Sequence, residues 1–569
     1  MNHHKEIFEK VSGVIEKHPN KRKLEKEEFV QDDRQKQSKI IENFTEFAID
    51  GAKTNEYNRS ILQFIAVASI PLNVIQNDGF KNMLSVISPR LKLKSRSHFT
   101  REELVKLYTE YKNKLIKELK EVDDVTISFD GWADTSKKHE VLGILVHFVK
   151  DSELSYRVLA AVDISSESHT GEFLKEQIFK TIKDFELENK LRASVRDGAP
   201  NAVKAAELLN ETHYDCFAHK LNLVAKEGIE YFPGLTLTLN KIKKICKKLN
   251  KSSNLRREWI SINEQLDIPV LWLKKHIEVT IFKVKPINTF FKVRWNSAFV
   301  VFERVLKVRE QLSLLLLEND DFPQLSETDW KTAEAAIELM KPLYDSTIMV
   351  QKSGMTASAI IPMCHVMLDE LRGDVKYKSA CEAMAARLQI ELDKYENVEY
   401  LNFATILDPR FKDCFIGDYW IEKLVEKLSS SNSETEESAP KVVDHQEPTD
   451  MFSRYMKKKI ELASKSKIRS KMSSSSTTME EVKRWLEEPT DINLKPINFW
   501  HEATAQKCWP FLSEFQKAYF CAPATTAEAE RLFSTARVIL TDNRKSLSTE
   551  NFSKLIFLQR NIPLMGFAK

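Results

Sequence analysis

Residues 124–132 read DVTISFDGW, and this stretch decides the fold. Val125, Ile127 and Phe129 alternate with Thr126 and Ser128, the period-two pattern of a β-strand. The pattern ends on an acid, Asp130, followed by glycine. Two further strand-like runs come next. EVLGILVHFV at 140–149 is almost continuously apolar, as a strand buried on both faces is, and YRVLAAVDI at 156–164 resembles it. GEFLKEQIFKTIKDFELE at 171–188 then sets Phe173, Leu174, Ile178, Ile182 and Phe185 on one helical face. LRASVRD at 191–197 is a short strand ending on a second acid, Asp197. NAVKAAELLN (201–210) reads as a helix, HYDCFAH (213–219) as a short strand, and KLNLVAKEGI (220–229) as another helix.

The predicted order is three strands, helix, strand, helix, strand, helix, which is that of an RNase H-like mixed sheet. In that arrangement the first and fourth strands are parallel neighbours. Asp130 and Asp197 then meet at their C-terminal ends, where open α/β sheets place ligands. A third acid, Glu530, stands far along the chain in TAEAERLFST (526–535), within a helical pattern. Separated carboxylates gathered by a fold suit a hard divalent cation, Mg²⁺ or Mn²⁺, which takes oxygen ligands and leaves positions for phosphate and water. Taken singly, Asp130 reads equally as a strand-end cap, Asp197 as the start of the Asp-Gly-Ala-Pro turn, and Glu530 as an exposed helical acid.

A chain of 569 residues is too long for one ordinary domain. Its 42% hydrophobic and 9% aromatic content can build cores, and only 13 glycines point to many helices. A net charge of +3 leaves nucleic-acid affinity to local basic patches. Seven cysteines, an odd and scattered set, read as reduced thiols of an intracellular protein. No apolar run is long enough to span a membrane, and no cysteine precedes Cys216, so an N-terminal zinc finger is not expected.

Outside the strand region the pattern is helical. Residues 1–55 are polar and expected to be mostly flexible, with a basic stretch, NKRKLEK, at 20–26 that reads as a nuclear import signal or a solvated charge run. Residues 56–121 read as a helical N-terminal region. Within it Thr100 and Glu103 have capping-box spacing, ahead of Leu104, Leu107, Tyr108, Tyr111 and Leu115 on one face. Residues 122–234 form the first part of the sheet core. Residues 235–498 read as a helical insertion whose polar stretch at 429–450 is predicted to be a disordered loop. Residues 499–569 return to the core and end the chain.

These motifs resemble the hAT superfamily of DNA transposases and the host proteins derived from them, over roughly Pro71 to Asn561. The resemblance is carried by CAPATTAEAERLFSTARVILTDNRKSLSTENFSKLIFLQRN (521–561), ATILDPRFK (404–412), RWNS (294–297) and CFAHKLNL (216–223). It implies a metal-dependent DNA strand-transfer core in which Asp130, Asp197 and Glu530 match the catalytic triad. The ERLFS frame selects Glu530 over Glu528. It further implies that Trp295 stacks on an extruded base beside Arg294, that His219 of the Cys216–His219 pair approaches the DNA, and that the C-terminal region dimerises. The family's usual BED zinc finger is absent from the motifs of this chain. The alternative is therefore a domesticated, non-catalytic, DNA-associated dimerisation protein.

Each side chain also has a plain structural reading. Trp295 alone is as well a core residue, and His219 a packing one. Cys216 and His219 supply only half of a zinc site, so zinc is not expected. Lys243, Lys244, Lys247 and Lys248, in KIKKICKKLNKSSNLRRE (241–258), form either a phosphate-binding face or a solvated one. Phe533, Leu540, Leu547, Phe552, Leu555, Ile556, Phe557 and Leu558 exceed what an exposed helix hides and must pack on the core or on another chain. The resemblance favours a homodimer or higher homo-oligomer. The expected partners are DNA and copies of this chain, with no membrane and no small-molecule substrate, and the expected location is the nucleus.

Overall fold

The computed structural model describes residues 46–133, 140–165, 168–265, 296–352, 354–374, 376–430, 477–539 and 547–567. The basic stretch at 20–26, Arg294, Trp295, Leu540 and the polar loop beyond Ser430 lie outside them. The chain divides into two compact units. One joins residues 1–113 to 538–569, and the other holds residues 114–537. The sequence-based C-terminal segment, 499–569, is therefore shared between the two.

The first unit is helical among its described residues. The helix Ala52–Val67 packs along the C-terminal helix Thr549–Met565. The Tyr108 ring meets Phe557 edge-on at 4.9 Å, and the Tyr111 hydroxyl donates to the Gly566 carbonyl at 3.0 Å. Leu104, Leu107 and Tyr111 are buried as their spacing predicts. The start of their helix is not where the capping-box reading puts it. Helical structure begins after Ser95, whose hydroxyl accepts from the His98 amide at 3.2 Å. Thr100 instead donates to the Arg96 carbonyl, and Glu103 is buried against Lys94 at 3.3 Å and His98 at 2.8 Å.

The C-terminal apolar residues expected to pack on the core or on another chain are, where described, covered largely within this chain. Phe552, Leu555, Phe557 and Leu558 are buried in the helical unit, Phe533 is buried in the sheet unit, and Leu547 is half-buried. Apolar residues at helical spacing mark a buried stripe without saying which partner covers it.

The second unit carries a five-stranded mixed sheet: β1 (Val125–Ala133), β2 (Glu140–Lys150), β3 (Glu153–Asp163), β4 (Leu191–Arg196) and β5 (His213–Asp215), in the order β3-β2-β1-β4-β5. β1–β2 and β2–β3 are antiparallel, whereas β1–β4 and β4–β5 are parallel. The strand and helix order is the expected one. The HYDCFAH strand stops at Asp215, and the next helix, Phe217–Tyr231, starts directly after Cys216. Described residues between 235 and 498 are helical, with no strand among them.

One helix of this region packs against the helix that follows β5, and its Tyr395 hydroxyl donates to the Asp215 carbonyl at 3.1 Å. Phe217–Tyr231 and Lys378–Glu396 run antiparallel, with Phe217 edge-on to Tyr395 at 6.1 Å. Gly228 makes their close approach possible, since a Cβ there would lie 2.4 Å from the Met384 sulfur. The ATILDPRFK stretch is a structural knot. Asp408 is fully buried, accepting from Ser358 at 2.7 Å and from the Arg410 guanidinium at 2.9 and 2.7 Å. The Lys412 ammonium sits 4.2 Å over the Trp485 ring and donates to the Trp485 and Glu488 carbonyls, both at 2.8 Å.

Candidate metal and nucleic-acid site

β1 and β4 are parallel neighbours, paired through Ile127↔Ser194 and Ser128↔Val195. Counting two residues on along each strand brings Asp130 level with Asp197. Adjacent strands lie about 4.8 Å apart, so the two acids share one end of the sheet. Both are half-buried. Asp130 Oδ1 accepts from the Gly131 amide at 2.8 Å, and Asp197 Oδ1 from the Ala199 amide at 3.2 Å. The turn-forming role read for Asp197 is thus present in the structure. A Cβ on Gly131 would meet nothing within 4 Å, so space is open beside Asp130.

Glu530 comes from the helix Ala527–Ile539. That helix crosses the sheet at the level of Asp130. Gly143, the register partner of Asp130 on β2, would carry a Cβ 3.0 Å from Leu532 and 3.1 Å from Phe533. The Phe533 ring also stacks on Trp132 of β1 at 6.3 Å. Glu530 lies one turn before Phe533 on the same side of the helix. The neighbouring Glu528 is committed elsewhere, as the ion-pair partner of Arg531.

The start of this helix is tied to the end of the sheet. The Thr526 amide donates to the Cys216 sulfur at 3.2 Å, Phe217 donates to the Ala524 carbonyl at 3.2 Å, and the Tyr214 hydroxyl to the Pro523 carbonyl at 2.8 Å. Burial pushes the Cys216 thiol above its ordinary pKa, and the Asp130 charge nearby adds to the rise. Cys216 is a neutral, buried acceptor that joins two elements, and His219 stands half-buried one turn further along the helix.

Asp130 and Asp197 share a level of the sheet, and Glu530 stands on the helix that crosses it. Among the described residues no group of three or more His, Cys, Asp or Glu side chains stands together to hold a metal ion. The donor set is nevertheless all carboxylate oxygen, which suits Mg²⁺ or Mn²⁺ and not a soft metal.

Beside the acids lies a buried ionic network that sequence reasoning missed. Arg196 pairs with Asp215, and its guanidinium donates to the Asp197 carbonyl at 3.2 Å. Lys220 reaches Asp215 at 2.6 Å and Glu391 at 3.3 Å. Burial pushes the Arg196 pKa down, and the Asp197 charge opposes that. The available signal was a Lys and an Arg placed within otherwise apolar elements, each next to a residue already singled out.

The lysines of the basic helix Leu235–Lys251 divide. Lys243 is buried, which lowers its pKa, and its side chain is not exposed to a phosphate. It lies four residues after Leu239 and three before Cys246, both buried, so its helical position faces inward. Lys248 donates to the Asp321 carbonyl and lies 5.1 Å over the Phe322 ring. Lys244 and Lys247 are exposed. No described helix is long and apolar enough to cross a membrane.

Comparison with known proteins agrees with this architecture. Residues 476–562 match the hAT family C-terminal dimerisation region, and residues 214–339 match the ZBED1 RNase-like helical domain. The chain is 23% identical to the human (Homo sapiens) Zinc finger BED domain-containing protein 4 over 89% of its own length and 43% of that protein's. It is 23% identical to a Zea mays protein provisionally named AC transposase, over 86% of this chain and 63% of that one. It is 21% identical to the Mus musculus Zinc finger BED domain-containing protein 6, over 91% and 56%. The chain thus spans about half the length of these relatives.

Proposed function

Because this chain belongs to the hAT superfamily of transposases and transposase-derived proteins, we propose that it is a nuclear, DNA-binding, homo-oligomeric protein. Its sheet is RNase H-like, and Asp130, Asp197 and Glu530 form a divalent-metal site for DNA strand cleavage and transfer. The observation that carries the proposal is the equal level of Asp130 and Asp197 on adjacent parallel strands, with the Glu530 helix crossing at that level. The strand order β3-β2-β1-β4-β5 supports the RNase H-like reading, and the match to a dimerisation region supports homo-oligomerisation.

The three carboxylates would hold Mg²⁺ or Mn²⁺. When bound, the metal lowers the pKa of a nucleophilic water or 3′-hydroxyl and stabilises the leaving oxygen. The remaining roles belong to the chain. Lys244 and Lys247 offer exposed charge to phosphates, and His219 approaches the scissile strand. Arg294 holds phosphate beside a base stacked on Trp295.

The second reading is a non-catalytic, DNA-associated oligomer. It is favoured by the fact that the three acids share a level of the fold without standing together as a metal-holding group. Incubating the full chain with DNA hairpin and end substrates, with Mg²⁺, Mn²⁺ or chelator, separates the two. Metal-dependent nicking that Asp130→Asn abolishes supports the enzyme. DNA binding without nicking supports the second reading.

A further inference from the structure

We propose that Lys220 is a positioning residue for Asp197, holding the Asp197–Gly198 turn at the end of β4 and locking it to the helical region through Glu391. The inference deepens the metal-site reading and rests on it for the role of Asp197.

The geometry is that of a clamp. The Lys220 side chain is 7% exposed. Its ammonium lies 2.6 Å from Asp215 Oδ2 and 3.3 Å from Glu391 Oε2. The same ammonium would lie 3.2 Å from a Cβ on Gly198, so it fills the space beneath the turn that presents Asp197. Arg196, the residue before Asp197, pairs with the other oxygen of Asp215 and donates to the Asp197 carbonyl. Two buried cations therefore lie against the turn and share one carboxylate.

Glu391 is the far anchor. It is 1% exposed and is paired also with Arg387 at 2.6 Å and Lys394 at 3.3 Å. Its helix is held in register against the Lys220 helix by the Phe217–Tyr395 contact at one end and the Gly228–Met384 approach at the other. Buried ions are costly to desolvate and are weak devices for stability alone. Their value here is a fixed geometry. A displacement of the Lys378–Glu396 helix is transmitted through Glu391 and Lys220 to the Asp197 turn, so the helical region sets whether that turn is in place.

The test uses the full chain with Lys220→Met and, because loss of a buried charge risks unfolding, Gly198→Ala. Gly198 is exposed and its added methyl pushes on the ammonium without removing it. Two quantities are read: hydrogen exchange of the Ala199 amide, which donates to Asp197, in the metal-free chain, and Mn²⁺ affinity by electron paramagnetic resonance. Both variants are expected to speed Ala199 exchange at least tenfold and to weaken Mn²⁺ binding at least tenfold, with the Gly198→Ala melting temperature unchanged. Exchange within twofold of the wild type in Gly198→Ala and in any folded Lys220→Met overturns the proposal. So does Mn²⁺ binding that Asp197→Asn abolishes and these two variants leave intact, an outcome that keeps the metal reading. A wild-type chain without Mn²⁺ affinity removes the metal reading and, with it, the assigned purpose of the clamp.

Discussion

The Thr526 amide donates to the Cys216 sulfur at 3.2 Å. That contact is one of three that join the end of the sheet to the start of the helix that carries Glu530, across most of the helical region in sequence. It gives Cys216 a role that needs neither zinc nor nucleophilic chemistry. The thiol accepts a hydrogen bond where no water reaches, and its position next to Asp130 follows from the end of β5.

Cys216→Ala should leave the Thr526 amide buried without an acceptor. The expected cost is about 1–3 kcal/mol of stability, read from urea denaturation midpoints. Cys216→Ser, which restores an acceptor, should recover part of it. Because burial raises the thiol pKa, Cys216 should also resist alkylation at pH 8 in the folded chain. Rapid alkylation without unfolding would contradict its placement.

The basic helix makes a prediction that distinguishes its lysines. Lys244→Ala and Lys247→Ala should each weaken DNA binding and reduce the salt slope by about one unit. Lys243→Met should change neither, because that side chain faces the core. Fluorescence anisotropy across a salt series measures all three. A Lys243→Met loss as large as the others, in a chain of unchanged melting temperature, would return that lysine to the interface.

Acid stability should depend on His147. It is buried on β2 with its Nε2 at 2.7 Å from the Ser128 hydroxyl, and burial pushes its pKa down to about 3. The unfolded chain, with an ordinary histidine pKa near about 6.5, therefore binds a proton that the folded chain refuses. Stability from this group is full above about pH 6.5 and falls as pH drops toward the folded value, by at most about 1.4 kcal/mol per pH unit. His147→Gln should flatten the loss between about pH 6.5 and about 5.5, above most of the range where carboxylates titrate. An unchanged slope in that window would contradict the buried neutral imidazole.

Asp408 should prove structural despite its place in a family motif. Removing its carboxylate strands the Arg410 guanidinium and should cost about 3–5 kcal/mol, seen as a large fall in melting temperature for Asp408→Ala. Where the variant still folds at low temperature, its Mn²⁺ affinity should match the wild type.

What the sequence made legible was local or periodic. Val125, Ile127 and Phe129 announce a strand because side chains alternate across a sheet, and the strand–helix order then limits which strands can be parallel neighbours. Asp130 and Asp197 could be paired on those grounds before any coordinates. The Lys220–Glu391 contact could not, because nothing in either helix's own pattern specifies which face of the other it meets. Lys243 was misread for a related reason: a long side chain hides its charge from a simple count, and only its spacing from Leu239 and Cys246 shows the inward direction. The C-terminal apolar residues showed correctly that they are covered. They did not show that Phe557 meets Tyr108 of the same chain.

The most direct test of the account is a crystal of the full chain soaked in Mn²⁺, with data collected at the manganese absorption edge. The account predicts anomalous density ligated by both Asp130 and Asp197, with Glu530 turned toward it, and loss of that density in Asp197→Asn. Manganese bound away from the β1–β4 end of the sheet, or none bound at all in a crystal whose acids are accessible, would contradict it.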